Sequence, residues 1–297
     1  MKWQGVMPAI TTGFKKDLTL DLEHIASHVN WLVSNGCTGI VANGTLGEAT
    51  SLSVEEKIQV LQTCISTVGD RFPVVSGIGA MTTAKAVALA EKATSVGCSG
   101  LMVLPPYLYS TDWLEMKAHV AAVIEATELP CMLYNDPVAY GTDFLPEQIA
   151  ELAGEHDNLC AVKESTTDVR RITAIRALVG ERLSITVGMD DVLVEGIAAG
   201  ATGWVAGTAN ALPAECVALF NDAINGHYEK AFPVYKWIMP LMKLNAVPKF
   251  VQVTKLMQML VGWGNTTVRP PRLELEGSEL EEAIKIIKTT LATRPQL

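Results

Sequence analysis

Eight short apolar segments rich in β-forming residues recur along the chain, and a stretch with helical periodicity follows each of them. Strands that are apolar along their whole length are typical of parallel sheets whose two faces are covered by helices. Eight strand–helix units of this kind predict an α/β fold, a closed (β/α)₈ TIM barrel. The segments are residues 5–12, 39–47, 73–79, 100–106, 130–137, 159–166, 183–190 and 203–210.

An open, doubly wound sheet is the competing arrangement for repeated strand–helix units. Its dinucleotide-binding members carry a GxGxxG motif after the first strand, and this sequence has none there. Eight similar units therefore favour the barrel. Beyond residue 212 the strand pattern stops and the periodicity is helical throughout. We expect the barrel strands, most of the helices and the active site within residues 1–212. Residues 213–297 are expected to form C-terminal helices that complete and extend the barrel, as part of a single structural unit.

The composition argues against some classes of binding partner and for others. A formal net charge of −9 without a Lys/Arg run argues against nucleic acid or an anionic membrane as a partner. No apolar run reaches the roughly 18 residues of a membrane span. The six cysteines lack metal-site spacing and mostly lie in apolar segments, so we expect reduced thiols in a cytoplasmic protein. A hydrophobic fraction of 49% indicates a subunit interface.

Polar residues cluster where the predicted strands end. Active sites of (β/α)₈ barrels lie at the C-terminal ends of the strands and in the loops that follow. We therefore expect a small-molecule substrate to bind over this face. The polar strand exits are Thr11 and Thr12, "NGTLGE" (43–48), "YND" (134–136), "KEST" (163–166), "GMDD" (188–191) and "GTAN" (207–210).

Lys163 stands directly behind a buried apolar run. One interpretation is a lysine whose ammonium reaches solvent at the barrel rim. The other is a desolvated amine with a lowered pKa, which can form a Schiff base with a carbonyl substrate. Tyr134 ends the preceding strand and is open to two interpretations as well. It is either a half-buried structural aromatic or a phenol that relays protons to and from the imine.

The turn "NGTLGE" is either a tight entry into a helix or a binding loop for an anion. In the second case its backbone N–H groups and the Thr45 hydroxyl would cradle a carboxylate. The loop "GTAN" could hold a phosphate, although no basic residue is near it in sequence. The candidate substrate-binding residues at these exits are Gly44, Leu46, Gly47, Glu48, Asn135, Gly188, Met189, Asp190 and Thr208.

His24 and His28 stand four residues apart on a predicted helix, which is the spacing of a two-histidine metal pair. A third ligand is not apparent in the sequence. The pattern is therefore expected to be a solvated helix face, and we predict no metal site.

Three motifs occur in order along the eight units: "GTLGE" after the second strand, "YNDP" at the fifth and "VKES" at the sixth. Together they resemble the pyruvate-dependent aldolase and lyase family that includes dihydrodipicolinate synthase and N-acetylneuraminate lyase, over essentially the whole chain. The resemblance implies that Lys163 is the Schiff-base lysine and Tyr134 the proton shuttle, while Thr45 belongs to the carboxylate-binding loop. It also implies a homotetramer that needs no metal and no organic cofactor.

Several positions depart from the pattern of particular family members. Dihydrodipicolinate synthases carry an arginine after the "YN.P" motif for a second carboxylate, where this chain has Ala139. Their interfacial tyrosine aligns with Leu108, although Tyr109 is adjacent. The family loop commonly has a second hydroxyl where Leu46 stands. Met189, Ala139 and Leu46 also make the pocket too apolar for a sialic-acid lyase.

The stretches "YNDPVAYGTD" and "GMDDVLVEG" resemble a branch of the family that acts on 1-pyrroline-4-hydroxy-2-carboxylate, from hydroxyproline breakdown. We therefore expect a deaminase that yields 2,5-dioxopentanoate and ammonia. The alternatives are a 2-keto acid aldolase or deoxy-sugar-acid dehydratase, a synthase, and a barrel that binds a keto acid without turnover. Arg170 and Arg171 are predicted to lie on the helix after the sixth strand, away from the pocket.

Overall fold

The strands form a single closed sheet. The computed structural model describes residues 1–108 and 112–296, and the strands in these ranges are β1 (Gly5–Pro8), β2 (Ile40–Ala42), β3 (Val74–Ile78), β4 (Gly100–Val103), β5 (Cys131–Asn135), β6 (Leu159–Glu164), β7 (Ser184–Val187) and β8 (Gly203–Ala206). Neighbouring strands pair in parallel in the order β1-β8-β7-β6-β5-β4-β3-β2. A parallel bridge between Ala9 and Val41 joins β1 to β2. The predicted (β/α)₈ TIM barrel is therefore confirmed.

Helices alternate with the strands and continue after the last one. Those that the same ranges contain are α1 (Leu22–Ser34), α2 (Val54–Val68), α3 (Thr83–Ser95), α4 (Trp113–Glu125), α5 (Pro137–Tyr140), α6 (Pro146–Glu155), α7 (Arg170–Val179), α8 (Leu193–Ala198), α9 (Pro213–Ile224), α10 (Tyr228–Lys243), α11 (Phe250–Leu260) and α12 (Gly277–Leu291). Polar caps start several of them. The hydroxyl of Ser53 and the carboxylate of Glu56 form a capping box on α2, which satisfies backbone donors at its start.

Strand residues alternate between the barrel interior and the layer of helices outside. On β5, Leu133 packs against the helices, whereas Met132 and Tyr134 belong to the interior cluster. On β6, Val162 points outward and Ala161 inward. Because side chains alternate with a period of two, the next inward residue on β6 is Lys163.

The C-terminal helices are fixed to the barrel mouth by a buried ion pair. The ammonium of Lys255 on α11 lies 2.5 Å from a carboxylate oxygen of Glu48, and the two side chains are 3% and 0% exposed. The other oxygen of Glu48 accepts a hydrogen bond from the backbone N–H of Arg269 at 3.1 Å. Glu48 belongs to the turn after β2, so this contact joins that turn to the helical extension.

The helix face that carries His24 and His28 is not solvated as predicted. His28 is 1% exposed, and its Nε2 lies 2.9 Å from the carbonyl oxygen of Asn210. Burial lowers the pKa of His28 to about 4, so the ring is neutral at pH 7. The described residues contain no group of three or more His, Cys, Asp or Glu side chains that could hold a metal ion. Nor does the described chain include a helix long and apolar enough to cross a membrane.

Removing one member of the buried pair should cost more than removing both. Lys255→Met leaves the carboxylate of Glu48 buried beside an apolar chain, and loss of one partner from such a pair costs about 3–5 kcal/mol. Combining it with Glu48→Gln removes the uncompensated charge and should recover much of that loss. Urea denaturation of the wild type and both variants gives the free energies of unfolding. A single variant as stable as the double would contradict this prediction.

Candidate active site

Lys163 lies inside the barrel near the C-terminal end of β6. It stands in register between Tyr134 on β5 and Thr186 on β7. The side chain is 6% exposed, and its Nζ is 3.8 Å from the centre of the Tyr134 ring. An ammonium that extends into bulk solvent is therefore excluded, and the amine faces the barrel interior.

Burial changes the protonation of this amine. It lowers the pKa of Lys163 to about 8, against the opposing influence of the nearby carboxylates of Asp136 and Asp190. A lysine at its ordinary pKa of 10.5 is almost wholly protonated at neutral pH. Because the free amine is the nucleophilic form, the lowered pKa makes Lys163 suited to attack a carbonyl or imine carbon.

Space for the lysine depends on a glycine after β7. A Cβ atom added at Gly188 would lie 1.8 Å from the hydroxyl oxygen of Ser165 and 2.9 Å from Cε of Lys163. Ser165 is completely buried. A side chain at position 188 would displace one of these two groups, so the absence of a Cβ atom at Gly188 leaves room for both.

Tyr134 is held as a neutral phenol against a carboxylate. Its hydroxyl donates a hydrogen bond of 2.8 Å to Oδ2 of Asp136, and its ring meets that of Tyr140 edge-on. Burial, followed by the negative charge of Asp136, raises the pKa of Tyr134 well above its usual value of 10.0. The phenol therefore keeps its proton unless a group at the site accepts it.

The turn after β2 forms one wall of the site. Asn43 and Glu48 adopt positive φ angles of 57° and 53° at its two ends. The Thr45 hydroxyl is hydrogen-bonded to the hydroxyl of Tyr140. Gly77 on β3 allows the turn to pass closely, since a Cβ there would lie 2.5 Å from the Asn43 carbonyl oxygen. From this turn, Gly44, Thr45 and Leu46 line the cavity described next.

These groups surround a cavity of about 440 Å³. Lys163 is the one cation among its described lining residues, whereas Asp136, Asp190 and Asp191 supply carboxylates. Most of the remaining wall is apolar, and it includes residues from the C-terminal extension. The apolar lining residues are Ala9, Leu46, Met102, Val138, Ala139, Met189, Val205, Met242, Ala246, Val247, Pro248 and Phe250.

Eight of the twelve candidate residues from the sequence line this cavity. They are Gly44, Thr45, Leu46, Tyr134, Lys163, Gly188, Met189 and Asp190. The other four lie outside its lining. Gly47 accepts a hydrogen bond from Thr12, and Glu48 binds Lys255. The amide of Asn135 bonds to Phe144 and Glu164. Thr208 joins the network described next.

Asp190 lines the cavity while its carboxylate holds two strand exits together. Oδ1 accepts hydrogen bonds from the indole of Trp204 at 2.8 Å and the backbone N–H of Gly207 at 3.1 Å. Oδ2 accepts from Thr208, through N–H and hydroxyl, and from Asn245. The network connects the loops after β7 and β8 to the helical extension. Five donors occupy this carboxylate, so it serves to hold the cavity wall in place.

Two residues outside the candidate set complete the site: Asp136, the last residue of the strand exit "YND", and Tyr140. Asp136 caps α5, and Pro137 opens that helix. This single turn returns Tyr140 to stack on Tyr107 and to reach Thr45. The signal was an Asp-Pro step, which favours a helix start directly after a strand-end tyrosine.

Three positions singled out in the sequence do not line the cavity: Leu108, Arg170 and Arg171. Leu108 is 86% exposed, and Tyr109 lies outside the described residues. Arg171 forms an ion pair with Asp143 at 2.9 Å, and Arg170 pairs with Asp168. Neither arginine lines the cavity.

Comparison with known proteins agrees with this geometry. A model of the dihydrodipicolinate synthetase family matches residues 2–290. A 4-hydroxy-tetrahydrodipicolinate synthase from Methanocaldococcus jannaschii is 30% identical over 97% of this chain and 98% of its own. One from Agrobacterium fabrum is 32% identical over 95% and 96%. The crystal structure of dihydrodipicolinate synthase from Aquifex aeolicus superimposes with a TM-score of 0.92 at 27% identity, covering 96% of this chain and 97% of the other.

The lowered pKa of Lys163 predicts how its reactivity depends on pH. Reductive trapping with pyruvate and cyanoborohydride is measured by mass spectrometry of the Lys163 peptide and divided by the rate for N-acetyl-lysine. The ratio should be flat below about pH 8 and should fall between pH 8 and 10.5, where only the free lysine still gains neutral amine. Lys163→Met should remove the signal. A ratio that is constant up to pH 10.5 would place the pKa of this amine at its ordinary value.

Proposed function

The chain belongs to the dihydrodipicolinate synthetase family, and we propose that it is the Schiff-base enzyme that converts 1-pyrroline-4-hydroxy-2-carboxylate to 2,5-dioxopentanoate with release of ammonia. The observation that carries this proposal is the charge of the cavity. Lys163 is the only cation among the lining residues that the structure describes. The carboxylates of Asp136 and Asp190 are close enough to act on its pKa, and Asp191 lines the same cavity.

A second substrate carboxylate has no partner in such a cavity. A buried carboxylate is stabilised by arginine or lysine donors and is costly without them. Beyond β5, where a synthase would place an arginine, this cavity presents Val138 and Ala139. The proposed substrate has one carboxylate, which the turn at Thr45 would hold. Its ring nitrogen becomes a cation on protonation, and the carboxylates in the cavity wall favour that charge.

The reaction follows from the positions of the lysine and the tyrosine. The amine of Lys163 adds to the cyclic C=N carbon, and cleavage of the ring C–N bond releases the substrate nitrogen as an amine. Loss of a proton from C3 gives an enamine, which expels the hydroxyl at C4 as water. Proton transfers then shift the C3=C4 double bond to give an imine at C5. Water hydrolyses this imine and the Lys163 Schiff base, which releases ammonia, the product and the free lysine. Tyr134 moves protons beside the imine, and the Thr45 turn orients the carboxylate.

Synthase activity is the second candidate. It is favoured by the relatives from Methanocaldococcus jannaschii and Agrobacterium fabrum, which are named 4-hydroxy-tetrahydrodipicolinate synthases and match nearly the full length of the chain. A barrel that only binds a keto acid is disfavoured by Lys163, Tyr134 and Asp136, since binding alone needs neither a nucleophilic amine nor a proton relay. Of the two family activities, the carboxylates in the cavity wall favour the deaminase over the synthase.

Assembly into a homotetramer also belongs to this proposal. Large apolar side chains stand exposed around the barrel mouth, where Leu108 is 86% and Val138 is 81% exposed. Leu114 on α4 is 76% exposed. Exposed apolar residues on one face are typical of subunit interfaces. Sedimentation velocity should give the mass of four chains, and a species with the mass of one chain would contradict the assembly.

The two candidate activities can be separated on one enzyme preparation. Ammonia release from 1-pyrroline-4-hydroxy-2-carboxylate and condensation of pyruvate with aspartate semialdehyde are assayed at equal enzyme concentration. We expect efficient ammonia release and little condensation, because the latter requires a cation for the second carboxylate. Lys163→Met should abolish ammonia release and so exclude a contaminating enzyme. Efficient condensation without ammonia would return the protein to the synthases.

A further inference from the structure

Asp136 is fixed at the cavity wall by two hydrogen bonds of different kinds. Its Oδ2 accepts a hydrogen bond of 2.8 Å from the Tyr134 hydroxyl, and its Oδ1 accepts one of 3.1 Å from the backbone N–H of Ala139. The second bond caps α5, so the orientation of the carboxylate is set by the helix. Asp136 is 8% exposed and lines the cavity that holds Lys163.

We propose that Asp136 is the proton acceptor and donor behind Tyr134, so that proton transfer at the Lys163 imine proceeds through an Asp136–Tyr134 pair. The inference rests on the proposed Schiff-base function of Lys163. It adds Asp136 to Lys163 and Tyr134 as a residue that takes part in proton transfer at the imine.

Tyr134 cannot persist as a phenolate at this position without a partner that takes its proton. Its hydroxyl is buried, and a phenolate there would face the carboxylate of Asp136, which accounts for the raised pKa of Tyr134. The phenol can accept a proton from carbon only if its own proton leaves at the same time. Asp136 Oδ2 is the group to which that proton already points.

Two other polar groups of the site are engaged elsewhere, whereas the buried hydroxyl of Ser165 lies beside Tyr134 and opposes the rise in its pKa. The Thr45 hydroxyl is hydrogen-bonded to the hydroxyl of Tyr140. Asp190 accepts five hydrogen bonds, from Trp204 on β8, from Gly207 and Thr208 after it, and from Asn245. A phenol has one proton to donate. In Tyr134 that proton is directed to Asp136.

The transfer balances in atoms and charge. In the pyruvate imine of Lys163, a methyl C–H bond breaks and its proton joins the oxygen of Tyr134, while the former phenolic proton moves to Asp136. The C–H electron pair forms the C=C bond of an enamine and neutralises the iminium nitrogen. A cation and a carboxylate thus become two neutral groups, which a low-dielectric cavity favours. In the reverse transfer Tyr134 returns a proton to carbon and regains one from Asp136. The O–H protons of the two residues exchange with water, so deuterium from D₂O can enter the methyl group.

With the proposed substrate the same proton has a second use. After C3 has lost its proton, Asp136 is a neutral acid, and Tyr134 can deliver that proton to the hydroxyl at C4. The C–O bond then breaks, water leaves, and the enamine electron pair forms a C3=C4 bond conjugated with a restored iminium. Asp136 returns to its carboxylate form. This cycle suits substrates with a leaving hydroxyl one carbon beyond the deprotonated position.

Exchange of the pyruvate methyl hydrogens with D₂O tests this pair without the physiological substrate. Exchange is followed by NMR for the wild type, Asp136→Asn and Tyr134→Phe, and trapping with borohydride measures the Lys163 adduct in each. Asn retains an acceptor for the Ala139 N–H but cannot accept the proton. We expect both variants to form the adduct, with the maximal exchange rate lowered by about 10²- to 10⁴-fold. The pyruvate concentration for half-maximal rate should stay close to that of the wild type.

A matched pair and a distant control complete the design. Asp136→Glu should exchange faster than Asp136→Gln, since the two side chains have equal length and only the first can accept a proton. Asp168→Asn, which alters an exposed ion pair with Arg170, should behave as wild type. The charged and titratable groups that face Asp136 are Lys163, Tyr134 and Tyr140, and they are unchanged within this pair.

Three results would overturn the proposal. These are Asp136→Asn exchange near the wild-type rate, equal rates for Asp136→Glu and Asp136→Gln, and loss of the adduct together with exchange in Asp136→Asn. The last would assign Asp136 to imine formation instead of proton transfer. Failure of the wild type to release ammonia, with the exchange results as expected, would overturn the substrate proposal and leave the pair intact.

Discussion

Desolvation of one amine is the constraint on which the rest of the site depends. Lys163 can be nucleophilic at neutral pH only because the barrel removes it from water, and burial lowers its pKa to about 8. An isolated buried cation is costly, and the site limits that cost with the negative charges of Asp136 and Asp190. The amine is thus kept at the balance between a buried cation and a free base. A change in the position of either carboxylate would change the pKa of Lys163.

The elements around the lysine are therefore held from several directions. The register of β5 and β6 sets Tyr134 against Lys163, and the single turn of α5 fixes Asp136. The buried pair of Glu48 and Lys255 attaches the turn after β2 to the C-terminal helices. The extension also supplies part of the cavity wall and a donor to Asp190. It belongs to the architecture of the site as much as the barrel strands do.

Sequence reasoning was most successful where a simple periodicity governs the outcome. Eight apolar segments gave the barrel, and side-chain alternation along strands brings Lys163 and Tyr134 to the same interior. It was least successful for groups whose partners are distant in the chain. His28 is buried by contacts with Asn210, a residue 182 positions away, and periodicity on its own helix carries no information about that contact. The hydrogen bonds of Asp190 and Thr208 with Asn245 are of the same kind.

What the sequence by itself determined is the fold, the family resemblance and the strand ends from which chemistry can arise, because local patterns and ordered motifs encode these. Only the tertiary structure decided which side chains share the cavity and how each is protonated. Burial of Lys163, the hydrogen bond from Tyr134 to Asp136 and the pairing of Thr45 with Tyr140 all depend on barrel closure. The physical reason is that desolvation and hydrogen bonding act between groups brought together in space, and neither is a property of a residue alone.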